Sequence, residues 1–194
     1  MTDEPAVRIT AVELLYSGWA TLKRFTFERR RRDGAAQTQQ HMMFDIGDGA
    51  TVLPYDPMRG TVLLVRQFRL AAHITGVGDL LIEACAGKLD GDDPEVCARR
   101  EAEEELGYRL GPLEPVGEAF STPGAVSERV FFFLARYGPA DRVSQGGGHE
   151  HEGEDIEVLE LPLADALDRI ARGEIVDAKT IILLQHLKLT GRLG

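Results

Sequence analysis

The stretch Arg99-Arg-Glu-Ala-Glu-Glu-Glu-Leu-Gly107 decides how this chain is read. Asp93-Pro94 precedes it, a capping residue followed by the residue best suited to a first helical position. Gly107 is suited to a helix C-terminus. The spacing predicts one helix from Pro94 to Leu106. At about 100° per residue, with Glu101 at zero, Glu105 falls near 40° and Glu104 near 300°. Ala98, Ala102 and Leu106 fall between about 60° and 140°, so the apolar stripe borders the carboxylates. Such carboxylates are expected at the edge of a core, beside a cleft. Glu103, on the far side, is expected to be solvated.

Glu101 and Glu105 are like charges four residues apart, which weakens a helix by a few tenths of a kcal/mol. They also lie late in the helix, where its dipole disfavours anions. A divalent cation would reverse both penalties. Mg²⁺ suits the position because it takes one or two carboxylates together with phosphate oxygens. The plain alternative is an ordinary solvated acidic helix. Arg100, four residues before Glu104, can fix the helix face by pairing with it.

Outward from this helix, the first 69 residues read as strands. Thr21–Phe27 alternates at period two, Arg32-Asp-Gly34 reads as a hairpin turn, and a polar strand returns to Phe44. Thr51–Tyr55 and Thr61–Val65 flank a turn at Asp56–Gly60, and the second is apolar on both faces, as a central strand is. Ala72–Asp79 reads as a loop and Leu80–Ala84 as a short strand. Further strands are expected near Glu114–Phe120 and Arg129–Ala135. Residues 144–155 form a glycine-rich acidic loop, and helices are expected near Leu163–Arg172 and Ala178–Leu189. Without a regular βαβ alternation, the fold class is α+β or a mixed α-β-α sandwich.

The chain has 194 residues and a net charge of −10, which counts against a general nucleic-acid binder. Its two cysteines do not make a disulfide framework, and both read as small buried hydrophobes. Met1–Pro5 shows no signal pattern, and no apolar run approaches the roughly 20 residues that span a bilayer. The expectation is a soluble cytoplasmic protein with no membrane partner.

Gly87, then Arg100-Glu-Ala-Glu-Glu-Glu-Leu-Gly-Tyr108, resembles the Nudix box. That box is a glycine, a loop bearing an acid, then Arg-Glu-apolar-any-Glu-Glu-any-Gly-apolar. The second half matches in order and spacing. Twelve residues separate Gly87 from Arg100, where the usual pattern has thirteen, so Asp92 or Asp93 takes the loop acid's place. The shortened loop is itself similar to one subgroup, the bacterial GDP-mannose pyrophosphatases. Leu81–Asp90, Asp93–Cys97, Val65–Arg69, Gly146–Gly148, Glu154–Pro162 and Gly173-Glu-Ile175 share that likeness, which covers nearly the whole chain.

The resemblance implies a Nudix fold over residues 46–194 and an N-terminal antiparallel β-sheet extension over 1–45. It implies a homodimer with the N-terminal strands exchanged. It implies Mg²⁺-dependent hydrolysis of a nucleoside diphosphate sugar, GDP-mannose giving GMP and mannose 1-phosphate. ADP-ribose is the alternative substrate, and a silent nucleotide-sugar sensor the alternative class. Metal falls on Glu101, Glu105, the Ala86 carbonyl and Glu154, with Glu104 as support. Glu154 also matches the loop glutamate that acts on water, and Glu152 competes because the loop is two residues longer than in the relatives. His149 and His151 read as solvated loop residues. Substrate contacts fall on Arg69 rather than Arg66, and on Ala86, Gly87, Glu128 and Lys179. Trp19 either stacks on the base or packs in a core. Gln40-His-Met42 stands where the relatives carry Lys-Arg-Glu.

Overall fold

A computed structural model describes residues 6–193. Met1–Pro5, where the signal pattern was sought, lies outside the described residues. The chain divides into two compact units, Met1–Asp48 with Phe120–Arg129, and Gly49–Ala119 with Val130–Gly194.

The first unit is built on a three-stranded antiparallel sheet, β1 (Val7–Ser17), β2 (Thr21–Arg30) and β3 (Ala36–Asp45), in chain order. Its two faces differ. One carries Arg8 paired with Glu28 at 2.7 Å, Arg24 with Glu13 at 2.7 Å, and Gln40 bonded to Thr26 at 3.2 Å. The other pairs Ile9 with Phe27 and Val12 with Phe25, between Val7 and Leu14. Val7, Ile9, Val12 and Leu14 are each 52–58% exposed. Phe44 and Val126 form a bridge that joins the 120–129 segment to this sheet.

The second unit is a sandwich about a mixed sheet. Its strand order is β10 (Glu157–Pro162), β5 (Thr61–Phe68), β4 (Gly49–Asp56), β9 (Arg129–Arg136) and β8 (Leu113–Phe120). β6 (Leu80–Glu83) pairs with β5, and β7 (Cys85–Lys88) with β4. The β4–β9 pair is parallel. Alternate residues of each central strand feed opposite cores. Val52, Leu63, Val65 and Phe133 pack with Cys97, Ala98, Ala102 and Leu106 of the acidic helix. Leu53, Leu64, Phe132 and Leu134 pack with Leu163 and Ala166 of α3 (Leu163–Ala171) and with Leu183, Leu184 and Leu187 of α4 (Ala178–Leu189).

The α-β-α reading, the central place of β5 and both C-terminal helices stand as the patterning predicts. Two elements differ. Residues 70–74 form a five-residue helix, α1 (Leu70–Ile74), where a loop was expected from Ala72. Thr75 holds its end, its hydroxyl donating to the Ala71 carbonyl at 2.7 Å. The four-residue β7 has no periodicity of its own and exists through its ladder with β4.

Candidate active site

The acidic helix starts as its sequence demands. The Asp93 side chain accepts the Glu95 N–H at 2.9 Å, with Pro94 beginning α2 (Pro94–Glu101). Beyond Glu101 the geometry changes. Ala102–Leu106 is wound as a π-helix, so the α-helical wheel holds only up to Glu101. Such turns are rare and concentrate at functional sites.

The glycine-rich loop completes this turn. Gly147 donates to the Glu105 carbonyl at 2.9 Å, Gly148 to that of Glu104 at 3.0 Å, and Val143 to that of Gly107 at 2.8 Å. These carbonyls at the helix end would otherwise lack partners. The approach requires glycine on both sides. A Cβ on Gly107 would lie 2.5 Å from the Ser144 oxygen, and one on Gly146 would lie 2.5 Å from the Glu105 oxygen.

This docking brings the carboxylates together. Glu101 and Glu105 are buried, deeper than the core-edge position expected from the wheel. The wider turn and the covering loop are the reason. Glu105 accepts the Ala86 N–H at 3.2 Å. Burial pushes its carboxyl up to about 7; the Cys85 thiol opposes this and the Glu101 and Glu154 charges add to it. Burial likewise raises Glu101; Arg100 opposes the rise, and Glu104 and Glu154 add to it. Glu154 therefore shares the field of both.

Two glycines cradle these side chains. A Cβ on Gly87 would meet the Glu101 carboxylate at 2.0 Å, and one on Gly148 would meet that of Glu154 at 2.4 Å. Glu154 also accepts the His149 N–H at 2.8 Å. Among the described residues no three His, Cys, Asp or Glu side chains close into a ready-made metal cage. The donor types still fit a hard divalent cation, since Glu101 and Glu105 are carboxylates with raised proton affinity and Mg²⁺ draws its other ligands from water and phosphate.

Arg100 holds the surrounding acids, reaching Glu101 at 2.7 Å, Glu104 at 3.2 Å and Asp92 at 3.6 Å. Glu104 has a second neighbour in His149, at 3.4 Å from Nε2. His149 thus touches the helix and is not merely a solvated loop residue. Glu103, expected to be solvated, pairs with Arg109 through two bonds of 2.8 and 3.2 Å.

A second charged group lies on β6. Arg69 donates from Nε and Nη2 to the two oxygens of Glu83, at 2.7 and 3.0 Å. Lys179 donates to Glu83 at 2.6 Å and stands 3.1 Å from Asp177. Glu83 is buried, which alone would raise its carboxyl, but Arg69 and Lys179 hold it below the usual range. The Arg69 guanidinium is stabilised by Glu83 first, then by the charges of Glu105 and Asp177, against a partial loss of solvent. The structure thus brings Arg69 and Lys179 together. Sequence reasoning missed Glu83, whose only signal is a lone acid in an apolar strand. Arg66 pairs with Glu157 across β5 and β10.

Trp19 and Glu128 belong to the first unit. Trp19 is 73% exposed with Phe44 at 6.5 Å, so it fills no core. Glu128 is half-buried, its carbonyl accepting the Ser121 N–H at 3.2 Å. His41 stands edge-on to Phe27 at 5.2 Å, and Met42 is exposed. Glu150 and Glu152 bound a short 3₁₀ turn, and the Glu152 side chain lies outside the described residues.

Comparison with known proteins gives the family. The NUDIX domain model matches residues 45–184. The model described as the GDP-mannose pyrophosphatase NudK N-terminal domain matches residues 6–41. The chain is 45% identical over 186 residues to a GDP-mannose pyrophosphatase of Cronobacter sakazakii, covering 95% of this chain and 96% of that one. It is 46% identical over 189 residues to one of Klebsiella pneumoniae, covering 97% and 94%. On the matched box, the buried glutamates and the extent of these matches, the chain belongs to the Nudix family.

Proposed function

We propose that this chain is a pyrophosphohydrolase that cleaves GDP-mannose to GMP and mannose 1-phosphate, with Mg²⁺ as its cation. The observation that carries the proposal is one juxtaposition. Glu101 and Glu105 each feel the charge of Glu154, and Glu105 feels that of Arg69, the cation anchored on Glu83 at 2.7 Å. The near full-length similarity to GDP-mannose pyrophosphatases supports the choice of substrate.

The reaction adds water to one phosphorus and expels the bridging oxygen with the other phosphate. Family members generally use divalent cations. Glu101, Glu105, Glu154 and the Ala86 carbonyl would hold such a cation, which would supply charge neutralisation and a more acidic water. Arg69 and Lys179 bind the diphosphate, and Arg69 offers planar, bidentate geometry for it. Ala86 and Gly87 line the same site. Glu154 takes the proton of the attacking water; its bond from the His149 N–H restrains a carboxylate that must lie within hydrogen-bond reach. Glu104, paired with Arg100, supports the helix face.

In this reading residues 1–45 form a dimerising extension and 46–194 the hydrolase domain. The exposed row Val7, Ile9, Val12 and Leu14 supports pairing with a second copy, because an apolar sheet face in water is costly. Trp19 then stacks on the base and Glu128 contacts substrate. Trp19 is 73% exposed, as a residue that meets a ligand would be. Among the described residues no helix is long and apolar enough to cross a membrane. Both cysteines are free and buried, which agrees with a cytoplasmic location.

The test is phosphate release, coupled to a phosphatase, from GDP-mannose, ADP-ribose and other nucleotide sugars, with and without Mg²⁺. Mg²⁺-dependent release fastest from GDP-mannose is expected. Faster release from ADP-ribose would replace the substrate, and no release from any would return the chain to a sensor role.

A further inference from the structure

Among the described residues, Glu83 is a buried acid on β6 that the proposed chemistry leaves without a task. It follows Leu81 and Ile82 on a strand whose inner residues join the core. Three charge-assisted bonds reach it, two from Arg69 and one from Lys179. The cations come from distant places in the chain, 14 and 96 residues away. The start of α4 is pinned to the same place. Asp177 accepts the Thr180 N–H at 3.0 Å, and the Thr180 hydroxyl accepts the Ala84 N–H at 2.6 Å. Lys179, in that first turn, is thereby fixed in register with Glu83.

Stability alone does not call for this arrangement. A buried ion pair seldom outperforms apolar residues of similar volume. The exposures point elsewhere. The Glu83 side chain is 2% exposed, whereas that of Arg69 is 43% exposed. The carboxylate is the floor, and the cation opens outward. A guanidinium has five N–H donors, and Glu83 engages two, leaving three. Lys179 has three donors; Glu83 and Asp177 occupy two, leaving one. A long, mobile arginine loses rotamer freedom when it grips an anion. One already clamped has lost that freedom on folding, so binding costs less.

We propose that Glu83 is a positioning residue, holding Arg69 and Lys179 as a preorganised pair whose remaining donors receive the diphosphate of the substrate. The inference rests on the functional reading above and adds to it a residue that touches no substrate and acts through two that do.

The experiment is a double-mutant cycle on the full-length protein, with Glu83→Gln, Arg69→Ala and the double variant. Melting temperatures of all three are recorded with the rates. Glu83→Gln is expected to raise KM for GDP-mannose about tenfold or more with kcat within about threefold, the mark of lost ground-state binding. The double variant is expected to lose clearly less than the product of the two single losses, since Glu83 acts in part through Arg69 and only its share through Lys179 remains. Additive losses, or an unchanged KM, would overturn the proposal. If Glu83→Gln does not fold, Glu83→Asp takes its place, keeping the charge while shortening the reach, with the same non-additivity expected. If wild type does not turn over GDP-mannose, the functional reading fails separately. Calorimetric binding of inorganic pyrophosphate then decides for Glu83, about tenfold weakening in the variant supporting its role and equal affinity overturning it.

Discussion

Gly87→Ala should separate activity from stability. The added Cβ would stand 2.0 Å from Oε1 of Glu101, 2.1 Å from its Cδ and 2.7 Å from its Cγ. Ordinary contact begins at 3.4 Å, so the carboxylate must retreat by about 1.4 Å. The three nearest atoms all belong to one glutamate side chain, and the backbone at Gly87 is not left-handed. The fold can therefore yield by moving Glu101. An off-rotamer glutamate costs about 0.5–1.5 kcal/mol. Alanine in place of glycine returns about 0.4–1 kcal/mol through the unfolded chain. The two nearly cancel, and Tm should stay within about 4 °C of wild type. Activity should not survive as well, because a misplacement of about 1 Å costs on the order of 10²-fold. Steady-state rates on GDP-mannose at saturating Mg²⁺ and calorimetric melting would be measured on one preparation. Wild-type turnover with an unchanged Tm would show that the position of Glu101 does not matter to the chemistry. A collapse of Tm would show that Glu101 cannot move aside.

Glu105→Gln should abolish most turnover and also change the pH dependence of stability. In chelator the buried Glu105 carboxyl sits at about 7, above its ordinary range. A raised acid contributes stability below its unfolded value that is lost as pH rises through the folded value. Metal-free wild type should therefore lose up to about 3 kcal/mol relative to Glu105→Gln between pH 4.5 and 8; parallel pH profiles would refute the burial argument. Glu154→Gln should lower turnover by roughly 10²-fold, with Glu150→Gln near wild type and Glu152→Gln between. If Glu152→Gln is the most damaged, the base is Glu152. Inactive Glu105→Gln and Trp19→Ala subunits, mixed and shown to exchange, should recover activity if Trp19 acts in trans, and persistent inactivity would refute shared sites.

Much of the fold was legible because its signals are local. Asp93-Pro94 begins a helix and Gly107 ends it, since capping and left-handed backbone depend on adjacent residues. Continuous apolar runs identify a strand covered on both faces, as β5 is. The illegible elements are short. α1 has five residues, too few for a helical period to show, and β7 is a strand only through its pairing. For the candidate site, Glu101, Glu105 and Glu154 are proposed from spacing and resemblance. Glu83 could not, because its partners reach it from a loop start and a late helix.

The sequence by itself determined the kind of chemistry available, through acids at one helical repeat, a glycine-rich loop and two cations beside strand and helix ends. Tertiary structure decided what those groups became. It gave the carbonyls of the Ala102–Leu106 π turn their partners, the N–H groups of Gly147 and Gly148. It buried Glu105 and raised its carboxyl, and it clamped Arg69 and Lys179 on one carboxylate. The reason is the range of the forces. Capping and periodicity act over a few residues along the chain, whereas desolvation and charge act through space and exist only once distant segments have met.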